Sequence, residues 1–439
     1  MKRELAEAIV ANLRLSGDAS NVQELRQFGL RDWKRTFRWL DDSDLTLYFL
    51  RHLQNIGSTE VLPPEVLARL EESLAQNHLR WEYLAEAFAD INERFQRAGV
   101  PFAVIKGLSL VPDYCREALL RAPSDLDYLV DKQSLPLARR ILEAAGYCLK
   151  ARSDIEFKFC KPGSRMPMIS DSPYSARTEP LVELHLAFWK RGNGVPLKEP
   201  EFRLAETIPH SWQGLRFPVL NERDAFLFQV LHLFQHILEG WVKLCWLLEM
   251  GSFLSRRSSD SNFWRKVDDR MQEIPYFAEF AAIVIGLAQS FFAAPAPALA
   301  EKWTGALRSA SRLWLDNYAR TWVFDEHPYI RSSFFRSAKL VLFLLEEYVP
   351  NPEMRKEVIR QRLFPWKSPE RVAVPVDLKP ASVRAARQLQ WRFVFDRIIL
   401  HSGSSLRYLW ELPRWRELKR TWPSAGHKSS PKRRSPPAG

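Results

Sequence analysis

The chain has 439 residues, 46% of them hydrophobic and 26% charged, with a formal net charge of +12. This is the balance of a soluble globular protein, long enough for two or three domains and a sizeable core. Cys115, Cys148, Cys160 and Cys245 have no metal-ligand spacing and read as reduced thiols of a cytoplasmic protein, and Met1–Glu7 carries acidic residues where an export signal needs an apolar run.

Residues 1–95 are predicted to be an N-terminal helical region. Leu45–Leu53 and Val66–Phe95 space their apolar residues at helical intervals, and Pro63-Pro64 ahead of Glu65 marks a helix start. No chemistry is read in this part. Residues 96–220 form a second unit with strand-like patterns. Val100–Ile105 is a predicted buried strand, followed by the turn Lys106-Gly107-Leu108-Ser109 and a helix-like stretch to Leu120, bent or restarted at Pro112. Leu126–Val130 is a second strand, and Leu135–Gly146 an amphipathic helix closed by glycine. Tyr147–Lys150 and Ile155–Cys160 are predicted antiparallel strands. A Pro/Ser/Gly-rich loop spans about 161–177, and Leu181–Phe188 is a further strand. The order implies an α+β fold, a mixed sheet with helices on one face, flanked by helical regions.

Residues 221–420 are predicted to be a C-terminal helical domain, with helices opening at Asn221 and covering Trp241–Phe253, Arg331–Tyr348 and Ala385–Leu400. Phe280–Ala300 carries no charge and is about long enough to span a bilayer. Gln289, Ser290, Pro295 and Pro297 interrupt it, so a buried helix ending near Ala293 is expected and no transmembrane segment. Residues 401–439 hold nine Lys or Arg against two Glu. The last of them, 421–439, read as a disordered basic tail, either solvated or touching nucleic acid or anionic lipid.

The chemistry concentrates between Val104 and His185. Asp125 and Asp127, one residue apart in a strand, point to the same side, while Leu126 and Tyr128 point to the other. Two carboxylates on one side repel unless a cation lies between them, and hard divalent ions such as Mg²⁺ suit such oxygen donors. The alternative is a strand-entry pair capping a turn. Gly107 lets backbone N–H groups approach phosphate oxygens, with Ser109 offering a hydroxyl. Leu181, Glu183 and His185 share one face of their strand. Walker A, Gly-x-Ser-x-Gly and Rossmann patterns are absent, which leaves P-loop, serine-hydrolase and dinucleotide readings without support.

Lys106-Gly107, Arg121, Asp125-Leu-Asp127 and Glu183-Leu-His185, in that order, resemble the nucleotidyltransferase superfamily typified by DNA polymerase β. The set is most similar to one branch, an uncharacterised bacterial nucleotidyltransferase family, over roughly residues 95–255. The wider superfamily carries Gly-Gly or Gly-Ser at the turn, whereas Lys106-Gly107 matches the branch. The resemblance implies Mg²⁺ (or Mn²⁺) held by Asp125 and Asp127, with Glu183 completing the metal site or acting as base, and Glu179 as a weaker substitute. It implies phosphate contacts from Gly107 and Ser109, and nucleotide contacts from Lys106, Arg121, His185 and Lys243. Lys106 is alternatively the partner of a carboxylate, Arg121 a structural ion-pair partner of Asp125 or Asp127, and His185 a satisfied histidine or a group orienting Glu183. His232 and His236 share a helix face at a spacing that suits zinc, though without the Glu of a metalloprotease. By the resemblance they line the far wall of the cleft with Lys243 and Glu249; helix packing is the alternative. The implied reaction moves an NMP from an NTP donor to an acceptor hydroxyl or phosphate on a sugar, small molecule, peptide, protein or RNA. The rival readings are a catalytically idle nucleotide-binding scaffold and an RNA-directed transferase.

Overall fold

The computed structural model describes residues 1–16, 22–123, 125–162, 173–175, 180–189, 195–197, 204–325, 338–364 and 380–422. Four helices come first: α1 (Arg3–Asn12), α2 (Leu30–Asp42), α3 (Thr46–Asn55) and α4 (Pro64–Arg97). Pro64 opens α4, where its missing N–H costs nothing. The buried stripe of α4 runs Val66, Leu70, Ser73, Asn77, Trp81, Leu84, Phe88, Ile91 and Phe95, one residue per turn. Its first half joins a core shared with α1–α3 and the C-terminal helices. Its second half, from Trp81 on, belongs to the core beneath a β-sheet. One helix therefore runs through both cores.

The sheet contains β1 (Phe102–Ile105), β2 (Asp125–Val130), β3 (Cys148–Arg152), β4 (Glu156–Cys160), β5 (Leu181–His185), β6 (Ile208–Trp212) and β7 (Leu215–Val219), in the order β3-β4-β5-β2-β1-β7-β6. β2–β5 and β1–β7 are parallel and the other pairs antiparallel, so the sheet is mixed, as predicted. Strand alternation gives it two unlike faces. Phe102, Val104, Tyr128, Val130, Val182 and Leu184 pack against the second half of α4 and against α5 (Leu135–Ala144). Ala103, Ile105 and Leu129 meet Phe228 on the opposite face. Phe228 lies on α6 (Glu222–Glu239), which Asn221 caps by accepting the Asp224 N–H at 3.1 Å. Helices thus cover both faces, not one.

Two expectations in the sheet region give way, and one pair of strands is new. The stretch after the glycine turn is not a helix: it makes two 3₁₀ turns, Gly107–Leu110 and Ala118–Leu120. Val111 is extended (φ −94°, ψ 134°) ahead of Pro112, which disfavours a helical residue before it and brings no N–H of its own. β5 ends at His185, short of Phe188. The β6–β7 hairpin was not anticipated. Pro209 and Pro218 face each other in it and dilute the local strand signal, while Gln213 and Gly214 (φ 45° and 83°) make the tight turn.

The remaining helices are α7 (Leu244–Arg257), α8 (Ser261–Met271), α9 (Phe277–Phe292), α10 (Ala298–Gly305), α11 (Ser309–Trp314), α12 (Arg320–Asp325), α13 (Leu342–Leu345), α14 (Pro352–Leu363) and α15 (Pro380–Thr421). α7 starts at Leu244 rather than Trp241, because Lys243 is extended (φ −81°, ψ 132°). α9 is the predicted apolar helix: it is buried and stops at Ala293, which turns left-handed (φ 51°). Among the described residues no helix is long and apolar enough to cross a membrane. The four cysteines are free. Glu179, the start of the helix predicted from Arg331 and the tail beyond Trp422 lie outside the described residues.

Candidate active site

Pairing register builds the site. β2 and β5 run parallel with Asp127 opposite Glu183, and β4 runs antiparallel to β5 with Lys158 opposite Glu183 and Glu156 opposite His185. All of these side chains therefore rise from the same face of the sheet. Asp127 Oδ1 accepts from Lys106 Nζ at 2.7 Å and lies 2.8 Å from His185 Nε2. His185 Nε2 is also 3.5 Å from Glu183 Oε2, and Glu183 accepts from Lys158 Nζ. Ligand atoms of Asp127, Glu183 and His185 fall within 4.8 Å of one another, the one such cluster among the described residues.

Burial makes this crowding costly. Desolvation, then the charges of Asp127 and Glu183, push the Asp125 carboxyl up to about 7. Glu183 moves the other way: burial opposes its charge, but the hydrogen bond from His185 and the cations Lys106 and Lys158 hold it well below the usual carboxylate range. His185 is raised because, against burial and Lys106, Asp127 and Glu183 favour its protonated form. The acids press on one another and are held by cationic side chains. Their hard oxygen donors fit a divalent ion, which would relieve the repulsion at Asp125.

The turn after β1 delivers Lys106 to this cluster. Lys106 has φ 59° and ψ −165°, a conformation that costs a residue other than glycine about 1–3 kcal/mol. Gly107 follows at φ 48°, where a side chain would be strained. Ser109 donates its hydroxyl back to the Lys106 carbonyl at 2.8 Å, closing the turn rather than facing the cavity. Arg121 donates to the Gly107 carbonyl at 3.0 Å and pairs with Glu249 Oε1 at 2.9 Å. Its partner is thus on α7, not Asp125 or Asp127. Tyr48 of α3 donates to the same Glu249 oxygen at 2.5 Å.

These residues border a cavity of about 440 Å³, with Asp127 set just behind its wall at 4% exposure. Lys106, Asp125, Lys158, Glu183 and His185 line one part of it, and Phe228, His232, His236, Trp241 and Trp246 another. The rings of the second group pack together, with His236 centred 4.3 Å from Trp241 and 5.0 Å from Trp246. Burial and the charge of His236 hold His232 well below the usual imidazole range, so it is neutral. Among the described residues no third ligand joins His232 and His236, so the zinc spacing leads to no metal cluster. Lys243 reaches the cavity from the start of α7 and pairs with Asp44 at 2.5 Å.

Asp44 and Tyr48 line the cavity from the N-terminal region, where the sequence offered no chemistry. Lys158 was also missed, although Glu156 and Lys158 alternating with Phe157 and Phe159 marked a polar strand face. Asn77 and Arg80 are positioning residues. Asn77 donates to the carbonyls of Leu119 and Arg121 at 2.7 and 2.8 Å, and Arg80 to that of Pro123 at 2.9 Å, so α4 fixes the approach to β2. Their signal was polar side chains on the apolar stripe of a helix.

No curated protein matches the chain. A family model described as an uncharacterised nucleotidyltransferase matches residues 30–293, well beyond the 95–255 covered by the sequence motifs. The match takes in α2, α3 and the turn between them, which bring Asp44 and Tyr48 to the cavity, as well as the sheet and α6–α9. With more than half of its length matched, and with its acidic strands and glycine turn inside the match, the chain belongs to this family of nucleotidyltransferases.

Proposed function

We propose that the protein is a Mg²⁺- or Mn²⁺-dependent transferase that moves an NMP from an NTP to an acceptor hydroxyl or phosphate, releasing pyrophosphate. The observation that carries this reading is the register that sets Asp127 against Glu183, with Asp125 and Glu183 on the wall of a nucleotide-sized cavity and Asp127 just behind it. Asp125, Asp127 and Glu183 would hold the metal, whose chemistry is to neutralise phosphate charge and activate the attacking oxygen. Glu183, held ionised, is a poor proton acceptor at neutral pH and suits the ion better than the role of base. Lys106, tied to Asp127, stands where a phosphate oxygen would draw its ammonium away. The Gly107 turn, steadied by Arg121, would offer backbone N–H groups to the phosphates. The rings of His232, His236, Trp241 and Trp246 offer the nucleoside an aromatic surface, with Lys243 beside them.

The test is thermal stability with each NTP, with and without Mg²⁺ or Mn²⁺, for the parent and the Asp125→Asn/Asp127→Asn variant. A metal-dependent rise with one NTP, absent in the variant, identifies the donor and leads to an acceptor screen for pyrophosphate release. Stabilisation that ignores the metal and survives the double substitution would favour the idle nucleotide-binding reading.

A further inference from the structure

α15 carries an exposed apolar stripe that no part of the proposed catalysis uses. Trp391, Phe395, Ile398, Ile399, Leu406, Leu409 and Trp410 are 40–76% exposed. At 100° per residue they all fall within an arc of about 120°, along about 29 Å of helix. Between Ser404 and Trp415 the opposite side is anchored: Ser404, Ser405, Tyr408 and Trp415 are buried, Lys339 Nζ donates to Ser405 Oγ at 2.7 Å, and Trp415 Nε1 donates to Glu346 at 2.9 Å. The stripe is therefore held facing outward.

Charge identifies the occupant. Residues 380–422 hold nine Lys or Arg against three Asp or Glu, a net of +6, and residues 423–439 add four Lys or Arg and no acid. Together they carry +10 of the chain's +12. Two copies of so basic a helix repel when their stripes face each other, whereas a negatively charged surface that also dissolves apolar side chains satisfies both features. We propose that α15 lies flat on an anionic lipid bilayer, with Trp391, Phe395, Ile398, Leu409 and Trp410 entering the boundary between headgroups and acyl chains. Tryptophan favours that depth, and the helix's net positive charge, almost all of it from arginine, would draw the anionic headgroups. The helix is too polar to span the membrane, so it associates from one side.

The test is co-sedimentation of the full chain with phosphatidylcholine vesicles and with vesicles containing roughly one third phosphatidylserine. The proposal expects at least about tenfold tighter binding to the anionic vesicles, weakening as salt rises. Trp391→Glu/Trp410→Glu should lower that binding at least about tenfold. Both positions are highly exposed, so the variant should keep the parent's circular dichroism and Tm. A chain ending at residue 422 should bind more weakly but still depend on the two tryptophans. Equal affinity for both vesicle types, or a tryptophan variant that binds like the parent, would overturn the proposal. So would a concentration-dependent dimer in sedimentation velocity that the tryptophan variant dissolves, since the stripe would then belong to a second copy.

Discussion

The two faces of the central sheet are built from alternate residues of the same strands and have opposite physics. On one, Val104, Tyr128, Val182 and Leu184 are at most 3% exposed against α4 and α5, a dry layer in which Phe88 stacks on Tyr128. On the other, Asp125, Asp127, Lys158, Glu183 and His185 crowd together beside a cavity, and a carboxyl is pushed up to about 7. The first face holds the fold, and the second spends some of that stability to keep like charges near one another. Period-two alternation allows both, since neighbouring residues never compete for the same surroundings.

The largest effect should come from the polar face. Asp127→Asn keeps an oxygen acceptor for Lys106 and His185 but removes the negative charge they share, and should lower nucleotidyl transfer at least about 10³-fold. Its Tm should stay close to the parent's; retained turnover would break the assignment of function to this face. The converse test is Phe88→Ala, which opens the dry layer and should cost roughly 3–5 kcal/mol in denaturant unfolding, with the metal response of the remaining folded protein intact. A specific loss of NTP binding without loss of stability would show that the faces are not separable.

Arg121→Lys sharpens the comparison at the joint between turn and helix. Lysine cannot serve Gly107 and Glu249 together, so steady-state kinetics should show activity reduced roughly 10–100-fold with the fold retained. The smallest effect is a gain. The folded-state pKa of Asp125 lies above its ordinary value of 3.8, so its share of stability is present at low pH and lost as pH rises through about 7. In metal-free buffer, Asp125→Asn should therefore have a higher Tm than the parent at pH 8, by a few degrees at most. The gap should close as pH falls toward 4, and Mg²⁺ should raise the Tm of the parent alone. Melting curves across that range check it; a gap independent of pH would mean that repulsion at Asp125 is not its source.

Much of this was legible in the chain alone. The Asp-x-Asp alternation, the Glu183-x-His185 strand, the glycine turn, α5 and the apolar α9 all depend on residues within a few positions of one another, where local sterics and periodicity act. The helix expected after the turn failed for a local reason that Pro112 had already signalled. β6 and β7 failed because two prolines hid strands that pairing to β1 and to each other sustains.

Sequence by itself thus determined which residue types meet each face of each element, because side-chain direction follows from backbone geometry. Only tertiary structure decided which of them meet. Asp127 faces Glu183, and Lys158 faces Glu183, through strand registers joining segments 25 or more residues apart. Asp44 and Tyr48 reach Lys243 and Glu249 across about two hundred residues. Such pairings are selected by burial of the whole apolar face and by satisfaction of buried charge, and both are properties of the assembled core.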